Sequence, residues 1–286
     1  MPGKLYVVAT PIGNLSDMTP RGIQVLSDVD MIAAEDTRHS CVLLTHFGIN
    51  TPAHSCHKFN EDKRGDFFVD ALLDGKDIAL ISDAGTPCIS DPGHKLVTRA
   101  AAIGADVVPV CGPSAVTAAL SASGFDVTRH VFIGFLPRSA KEQTEVLREN
   151  DIGCPIAFYE SPLRITKTMA QMTESHPNAD ICLCNDISKK FEKIYRGTPA
   201  KVLAELQENP SAQKGEYTCV VCLNAVVETV ETAELSLEAQ LVDIIINHDC
   251  NLKDAAKILH EQHSATAKSN KKAIYAATLR LKELFI

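Results

Sequence analysis

Residues Leu80 to Gly93 read LISDAGTPCISDPG, and the fold class turns on this stretch. The apolar run Ile78 to Ile81 reads as a buried strand, and Ser82 and Asp83 end it with turn-forming residues. A polar loop therefore opens at a strand's carboxyl end. It holds Gly85, Thr86 and Pro87, then Asp91-Pro92-Gly93, where Asp91 is expected to cap the next helix with Pro92 in its first position. Ligands of open α/β sheets bind at such strand ends. A long but ordinary β-to-α connection fits the same pattern, so the loop alone leaves both readings open.

The same grammar runs outward in both directions. Leu5 to Ala9 reads as a first buried strand, followed by TPIGNLSDM and a helix opened by Thr19-Pro20. Met31 to Ala34 is a second strand ending in Glu35, Asp36, Thr37 and Arg38, with a helix over Ser40 to Phe47 closed by Gly48. A helix starting near Asn60 precedes the central strand, and one from Pro92 to about Ala102 follows it. Asp106 to Val110 then leads into CGPSA, where Pro113 sits at an expected helix start. Beyond a junction near Ser123 to His130, strands are expected over Val131–Leu136, Ile156–Tyr159, Ile181–Cys184, Glu192–Arg196 and Tyr217–Asn224, with helices opened by Ser139, Ser161-Pro162 and Thr198-Pro199. The class is α/β, with a mostly parallel first sheet and a mixed second one. The expected organisation is residues 1–123 and 124–228 as two α/β subdomains, and 229–286 as an acidic linker, VETVETAELS after Leu223-Asn224-Ala225-Val226, and a small helical domain. That last region reads as helices over Leu237–Asn247, Leu252–His263 and Ala267–Leu284. The third carries Lys268, Lys271, Lys272, Arg280 and Lys282 against Glu283, a helix-turn-helix-sized unit or a solvated helical cap.

Composition narrows the function. With 286 residues, 45% hydrophobic and 22% charged, the chain is long enough for two cores and too polar for a membrane protein. Its start, MPGKLYVV, lacks the build of a signal peptide, so a cytoplasmic protein is expected. Lys and Arg number 28 against 36 Asp and Glu, a net charge of −8, so any nucleic-acid contact must use a local basic patch. The ten cysteines are expected to be reduced thiols. Cys182-x-Cys184 and Cys219-x-x-Cys222 lie in strand-like runs without zinc-knuckle turns, so no metal site is expected. Neither G-x-G-x-x-G after the first strand nor a P-loop is present. The loops TPIGNLSD, SDAGTPCISDPG and CGPSA are rich in Pro and Gly and poor in Lys and Arg, which suits a phosphate-free ligand and favours a cationic sulfonium.

The stretches ATPIGNLSDMTPRGIQVL, AAEDTRHS, LISDAGTPCISDPG, VVPVCGPSAVTAALSASG, FIGFLPR, FYESPLR and KGEYTCVV resemble, in order, the successive motifs of the tetrapyrrole methylase superfamily. TPIGNL, AEDTR and SDAGTP are similar to its ribosomal branch, which methylates a cytidine 2′-hydroxyl in small-subunit ribosomal RNA. The resemblance spans about Leu5 to Leu223. It implies a two-domain class III methyltransferase with S-adenosylmethionine in the interdomain cleft, a homodimer, and the small ribosomal subunit or its RNA as partner, with no membrane and no metal. Residue by residue, it implies cofactor contacts from Pro11, Ile12 and Gly13, from Asp83, Gly85, Thr86, Pro87 and Ile89, from Ser114 and Ala115, and from Tyr159. Methyl transfer to a hydroxyl needs in-line placement and a base or cation. Candidates are Glu35, Asp36 and Arg38, then His57 with Asn60 and Glu61, then Lys214 with Glu216; helix capping or pairing with Arg38 would equally explain the carboxylates. The chain departs from the branch at Cys111, at Asn185-Asp186-Ile187-Ser188-Lys189, and at Lys58-Phe59 after His57. Two other readings stay open: the same fold methylating a small tetrapyrrole-like molecule, or a ligand-sensing nucleic-acid binder.

Overall fold

Alternation along two strands explains the first layer. In β2 (Met31–Ala34) and β4 (Ile78–Ile81) every residue is buried. Met31, Ala33, Ile78 and Leu80 enter one apolar cluster, while Ile32, Ala34, Ala79 and Ile81 enter another. A strand sends successive side chains to opposite faces, so only a sheet covered on both sides accommodates such a run. The computed structural model describes residues 1–57, 61–223, 236–248, 250–264 and 271–284. The linker after Val227, Lys58, Phe59, Asn60 and Lys268 lie outside these residues, as do the side chains of Glu61, Lys271, Lys272 and Glu283.

With β1 (Leu5–Val8), β3 (Ala53–Ser55) and β5 (Val107–Val110), these strands form a five-stranded, wholly parallel sheet in the order β3-β2-β4-β1-β5. One face packs on α3 (Glu61–Leu73) and α4 (His94–Ala102) through Phe68, Leu72 and Leu96. The other packs on α1 (Pro20–Asp28) and α2 (Thr37–His46) through Leu26 and Leu44. The loops after β1, β2, β4 and β5 all leave the same sheet edge, as parallel pairing requires.

The second sheet is mixed, in the order β6-β7-β10-β8-β9. β6 (Val131–Phe135) and β7 (Ile156–Glu160) pair in parallel, and β8 (Asp180–Asn185), β9 (Lys193–Gly197) and β10 (Tyr217–Cys222) join by antiparallel pairing. α6 (Ala140–Glu149), α7 (Ile165–Ser175) and α8 (Pro199–Glu208) cover one face through Leu147, Met169 and Val202. The other face is covered by α5 (Ala115–Ser123), whose Val116, Ala119 and Leu120 pack on Ala157, Cys182, Cys184 and Val220. The helix leaving the first sheet thus roofs the second.

Capping explains some helix starts and not others. Thr19 accepts from the Gly22 amide at 3.0 Å and Thr198 from the Lys201 amide at 3.4 Å, each with Pro in the first turn. Asp91 does not cap α4. That helix starts at His94 behind Gly93, which makes no side-chain cap bond and whose φ of +120° is open to glycine. A Cβ on Gly93 would lie 2.8 Å from a Leu80 methyl, so the chain turns there by close approach rather than by capping. Ser161-Pro162 does not open α7 either: the helix begins at Ile165 after a turn in which the Arg164 and Ile165 amides both donate to the Ser161 carbonyl. α5 likewise begins at Ala115, beyond Pro113.

Met1–Ala225 form one compact unit and Val226–Ile286 another. In the second, α9 (Leu237–His248), α10 (Leu252–Ser264) and α11 (Lys271–Leu284) enclose Leu241, Ala255, Leu259, Ile274 and Leu281. Arg280 of α11 donates to Glu238 of α9 at 2.6 Å, so the basic helix is opposed by an acid from its neighbour. No described helix is long and apolar enough to cross a membrane.

Candidate active site

The loops after β1 and β4 are stitched together by an isolated bridge. Thr10 donates to the Gly85 carbonyl at 2.8 Å and Gly85 returns the bond at 3.0 Å. Thr86 Oγ1 donates to the Pro113 carbonyl at 3.1 Å, tying in the loop after β5. The β4 loop passes through left-handed backbone at Gly85, Cys88, Ser90 and Gly93, with φ of 80, 68, 70 and 120°. Such conformations persist only where surrounding contacts over-determine them, and they concentrate at functional loops.

These loops wall a cavity of about 490 Å³ whose far side is supplied by the second sheet. Ile12, Asp83, Gly85, Thr86, Ile89, Ser114, Ala115 and Tyr159 line it, together with Glu35. Pro11 and Gly13 line instead an adjoining cavity of about 240 Å³, and Ile12 and Asp83 face both. Pro87 is buried behind the loop and lines neither. A Cβ on Gly13 would collide with the Lys189 side chain and lie 3.2 Å from the Ile187 carbonyl, so a larger residue there would force Lys189 to move. Ser114 makes no capping bond to the backbone, and its hydroxyl accepts from Thr117 Oγ1 at 3.4 Å in the first turn of α5. Tyr159 is wedged by Phe132 and Phe135, with ring centroids 5.0 and 5.5 Å away.

The electrostatics are one-sided. Glu35, Asp83, Asp91, Glu160 and Glu216 line the larger cavity, and among its described lining residues there is no Lys or Arg. Burial, followed by the charges of Glu35 and Asp83, pushes Asp91 up to about 6. Burial also raises the Glu35 carboxyl, opposed by its bond from the Asp83 amide at 3.4 Å and reinforced by the charges of Asp83 and Asp36. Like charges crowded in a half-buried site raise one another in this way. Glu160 is different in kind: it accepts from Thr168 at 2.8 Å and from the Ser161 amide at 2.7 Å, and pairs with Arg164 at 3.2 Å. It is fully provided for within the fold.

The remaining candidates scatter. Asp36 caps α2 by accepting from the Arg38 amide at 2.9 Å and pairs with the Arg38 guanidinium at 2.6 Å, which holds its carboxyl well below the usual range. Neither residue lines either of these two cavities, nor do His57 and the exposed Lys214. Glu216 faces both cavities and pairs with Lys189 at 2.8 Å. Two residues that the sequence reading did not count among the site candidates stand out: Asp91, read there as a cap, and His39, whose Nδ1 lies 3.8 Å from Asp83 Oδ1. The Cys182 and Cys184 sulfurs, 4.0 Å apart, face α5, whereas Cys219 faces the opposite core. Among the described residues no group of three or more His, Cys, Asp or Glu is arranged to hold a metal ion.

Residues 4–203 match the profile of the family described as Tetrapyrrole (Corrin/Porphyrin) Methylases. The chain is 42% identical over 265 residues to a Pseudomonas aeruginosa protein named ribosomal RNA small subunit methyltransferase I, covering 91% of this chain and 92% of that one. The chain belongs to this methyltransferase family. It is 36% identical to the Escherichia coli O157:H7 family member over 282 residues, 97% of this chain and 95% of the other, so likeness to the family extends through the C-terminal helices. Two solved structures share the fold at low identity: diphthine synthase, with a TM-score of 0.60, 13% identity and coverage of 77% of this chain and 90% of that one, and cobalt precorrin-4 methyltransferase, with 0.57, 17%, 76% and 94%. The family's class III methyltransferase fold is therefore the one described above, and the protein is an enzyme that transfers methyl groups.

Proposed function

We propose that the larger cavity holds S-adenosylmethionine and that the enzyme methylates the ribose 2′-hydroxyl of a cytidine in small-subunit ribosomal RNA. The observation that carries this reading is the cavity's charge: Glu160 and Glu216 are paired with Arg164 and Lys189, and Glu35, Asp83 and Asp91 remain with no described Lys or Arg among the lining residues. A sulfonium and an α-ammonium are both cationic, and a site walled by acids and apolar side chains favours them over any phosphate-bearing cofactor. A volume of about 490 Å³ suits a ligand of nucleoside size. When bound, the cofactor supplies a methyl group on a positively charged sulfur.

The chain's own residues then do three things. Gly85, held by Thr10, and Thr86, held by Pro113, fix the cradle before binding, so little ordering is left to be done at the reaction. Ile12, Ile89 and Tyr159 provide the apolar walls that exclude water. Asp83, Glu35 and Asp91 offset the positive charge of the donor. We assign cofactor contacts to Ile12, Asp83, Gly85, Thr86, Ile89, Ser114, Ala115 and Tyr159, with Pro11 and Gly13 shaping the loop and Pro87 stiffening it.

The RNA acceptor is supported by the names of relatives at about 40% identity across most of the chain. Such a substrate places the reaction in the cytoplasm. The resemblance also implies a homodimer, which light scattering of the full chain tests. Incubation with methyl-labelled S-adenosylmethionine and small subunits lacking the modification tests the activity. Label in the RNA supports the proposal. Label only in an added corrin or porphyrin, or cofactor binding without transfer to either, contradicts it.

A further inference from the structure

The smaller cavity has a hydroxyl with nothing to bond. Ser40 is 4% exposed, lines that cavity, and its Oγ has no hydrogen-bond partner among the described residues. A buried, unpaired hydroxyl has lost its bonds to water without replacement, so its retention calls for an explanation such as a ligand that completes it. Beside it on α2 stands His39, whose Nδ1 faces Asp83 Oδ1 at 3.8 Å. Asp83 is itself held by the Asp36 amide, which donates to Oδ1 at 3.1 Å. Pro11, Leu15 and Leu43 give the cavity apolar walls. It meets the larger cavity at Ile12, Asp83, Ala84 and Glu216, so two molecules lying in the two cavities would touch across that wall.

We propose that the smaller cavity seats the acceptor ribose and that His39 is the general base that takes the proton from its hydroxyl. This rests on the methyltransferase reading above and names its missing group. With Nδ1 turned to Asp83, Nε2 is the nitrogen left to accept a proton. Drawn in to hydrogen-bond distance, the carboxylate would fix the ring's tautomer and steady the imidazolium once formed. A spacing of 3.8 Å is long for a hydrogen bond, and catalytic bonds of this kind tighten when substrate closes the site. The step balances. The hydroxyl oxygen's electron pair forms the new O–C bond as the S–C bond breaks, the bonding pair of the broken S–C bond stays on sulfur to give a neutral thioether, and the proton passes to Nε2 and then to water. Glu35 is a poorer base for this step, since it lies in the donor cavity and accepts from the Asp83 amide. Ser40 Oγ, itself buried in the cavity wall, reaches the same sugar by rotation about χ1. The other charged groups facing His39 are Glu35 and Asp36, and Lys189 with Glu216 across the cavity, the last two paired with each other at 2.8 Å.

His39 is largely exposed, with 65% of its side chain accessible, so His39→Ala and His39→Asn are expected to fold. Each is compared with wild type by thermal melting, by calorimetric titration with S-adenosylmethionine, and by methyl transfer to unmodified small subunits with and without added imidazole. Expected are unchanged melting and cofactor affinity, a fall in kcat of about 100-fold or more, and partial recovery of His39→Ala activity by imidazole. Ser40→Ala is expected to raise KM for the particles more than it lowers kcat. Variants at His39 with kcat within about threefold of wild type, a loss that imidazole does not restore, or an equal loss of cofactor affinity would each overturn the role of His39 while leaving the methyltransferase reading intact. A wild-type protein that methylates no particle would overturn both.

Discussion

Thr10 and Gly85 exchange both of their backbone hydrogen bonds, at 2.8 and 3.0 Å, although they belong to loops that leave different strands. This bridge shapes the cradle proposed for the cofactor. It requires Gly85 at a φ of +80°, and a Cβ there would lie 3.3 Å from an Ile12 methyl. Gly85→Ala is therefore expected to cost about 1–2 kcal/mol in stability and to weaken S-adenosylmethionine binding, read by urea denaturation and calorimetry. Equal stability and equal affinity would show that the bridge does not shape the site.

Thr86 faces the cavity while holding the Pro113 carbonyl at 3.1 Å. Thr86→Trp removes that bond and fills the space. Calorimetry is expected to show cofactor affinity reduced by at least about 100-fold, with the far-ultraviolet circular dichroism of the folded chain preserved. An unchanged dissociation constant would place the cofactor elsewhere.

Asp91 gives the pH dependence. Its pKa is raised from 3.8 to about 6, first by burial and then by Glu35 and Asp83. A carboxyl raised on folding contributes stability that is fully present below its unfolded value and lost as pH rises through the folded one. Asp91→Asn should therefore gain melting temperature relative to wild type as pH climbs from about 4 to about 6, and hold that gain above. Wild-type affinity for the cationic cofactor should fall as pH drops through the same window, more steeply than in the variant. A melting difference independent of pH would contradict the assignment.

Glu160 carries the buried end of β7. Its side chain is fully buried against Arg164, Thr168 and the Ser161 amide. Glu160→Ala leaves Arg164 without its carboxylate, and breaking such a pair costs about 3–5 kcal/mol. Chemical denaturation should show a loss at the lower end, since Arg164 also donates to the Leu136 carbonyl at 2.9 Å. A loss below about 1 kcal/mol would mean that the backbone carbonyls alone hold the guanidinium.

Much of this was legible locally. The fully apolar runs of β2 and β4 announced a sheet buried on both faces, and Thr19-Pro20 and Thr198-Pro199 announced helices that their capping bonds confirm. Asp91-Pro92 carried the same signal and misled, because the Gly93 backbone packs against Leu80 and delays the helix to His94. That approach depends on tertiary packing, which capping chemistry does not encode. β3 went unread because it has three partly exposed residues, and its identity comes only from pairing with β2. The acidic, cation-free cavity was foreshadowed by loops poor in Lys and Arg. His39 was not, although it stands within AAEDTRHS: nothing local links a helix histidine to an aspartate after another strand.

The position of the transferred methyl group tests the whole account most directly. Small subunits lacking the modification would be treated with the enzyme and S-adenosylmethionine, and their RNA digested to nucleosides and mapped by mass spectrometry. The account predicts one new cytidine carrying its methyl on the ribose 2′-oxygen. A methyl on a base, or RNA left unmodified by an enzyme that binds the cofactor, would contradict it.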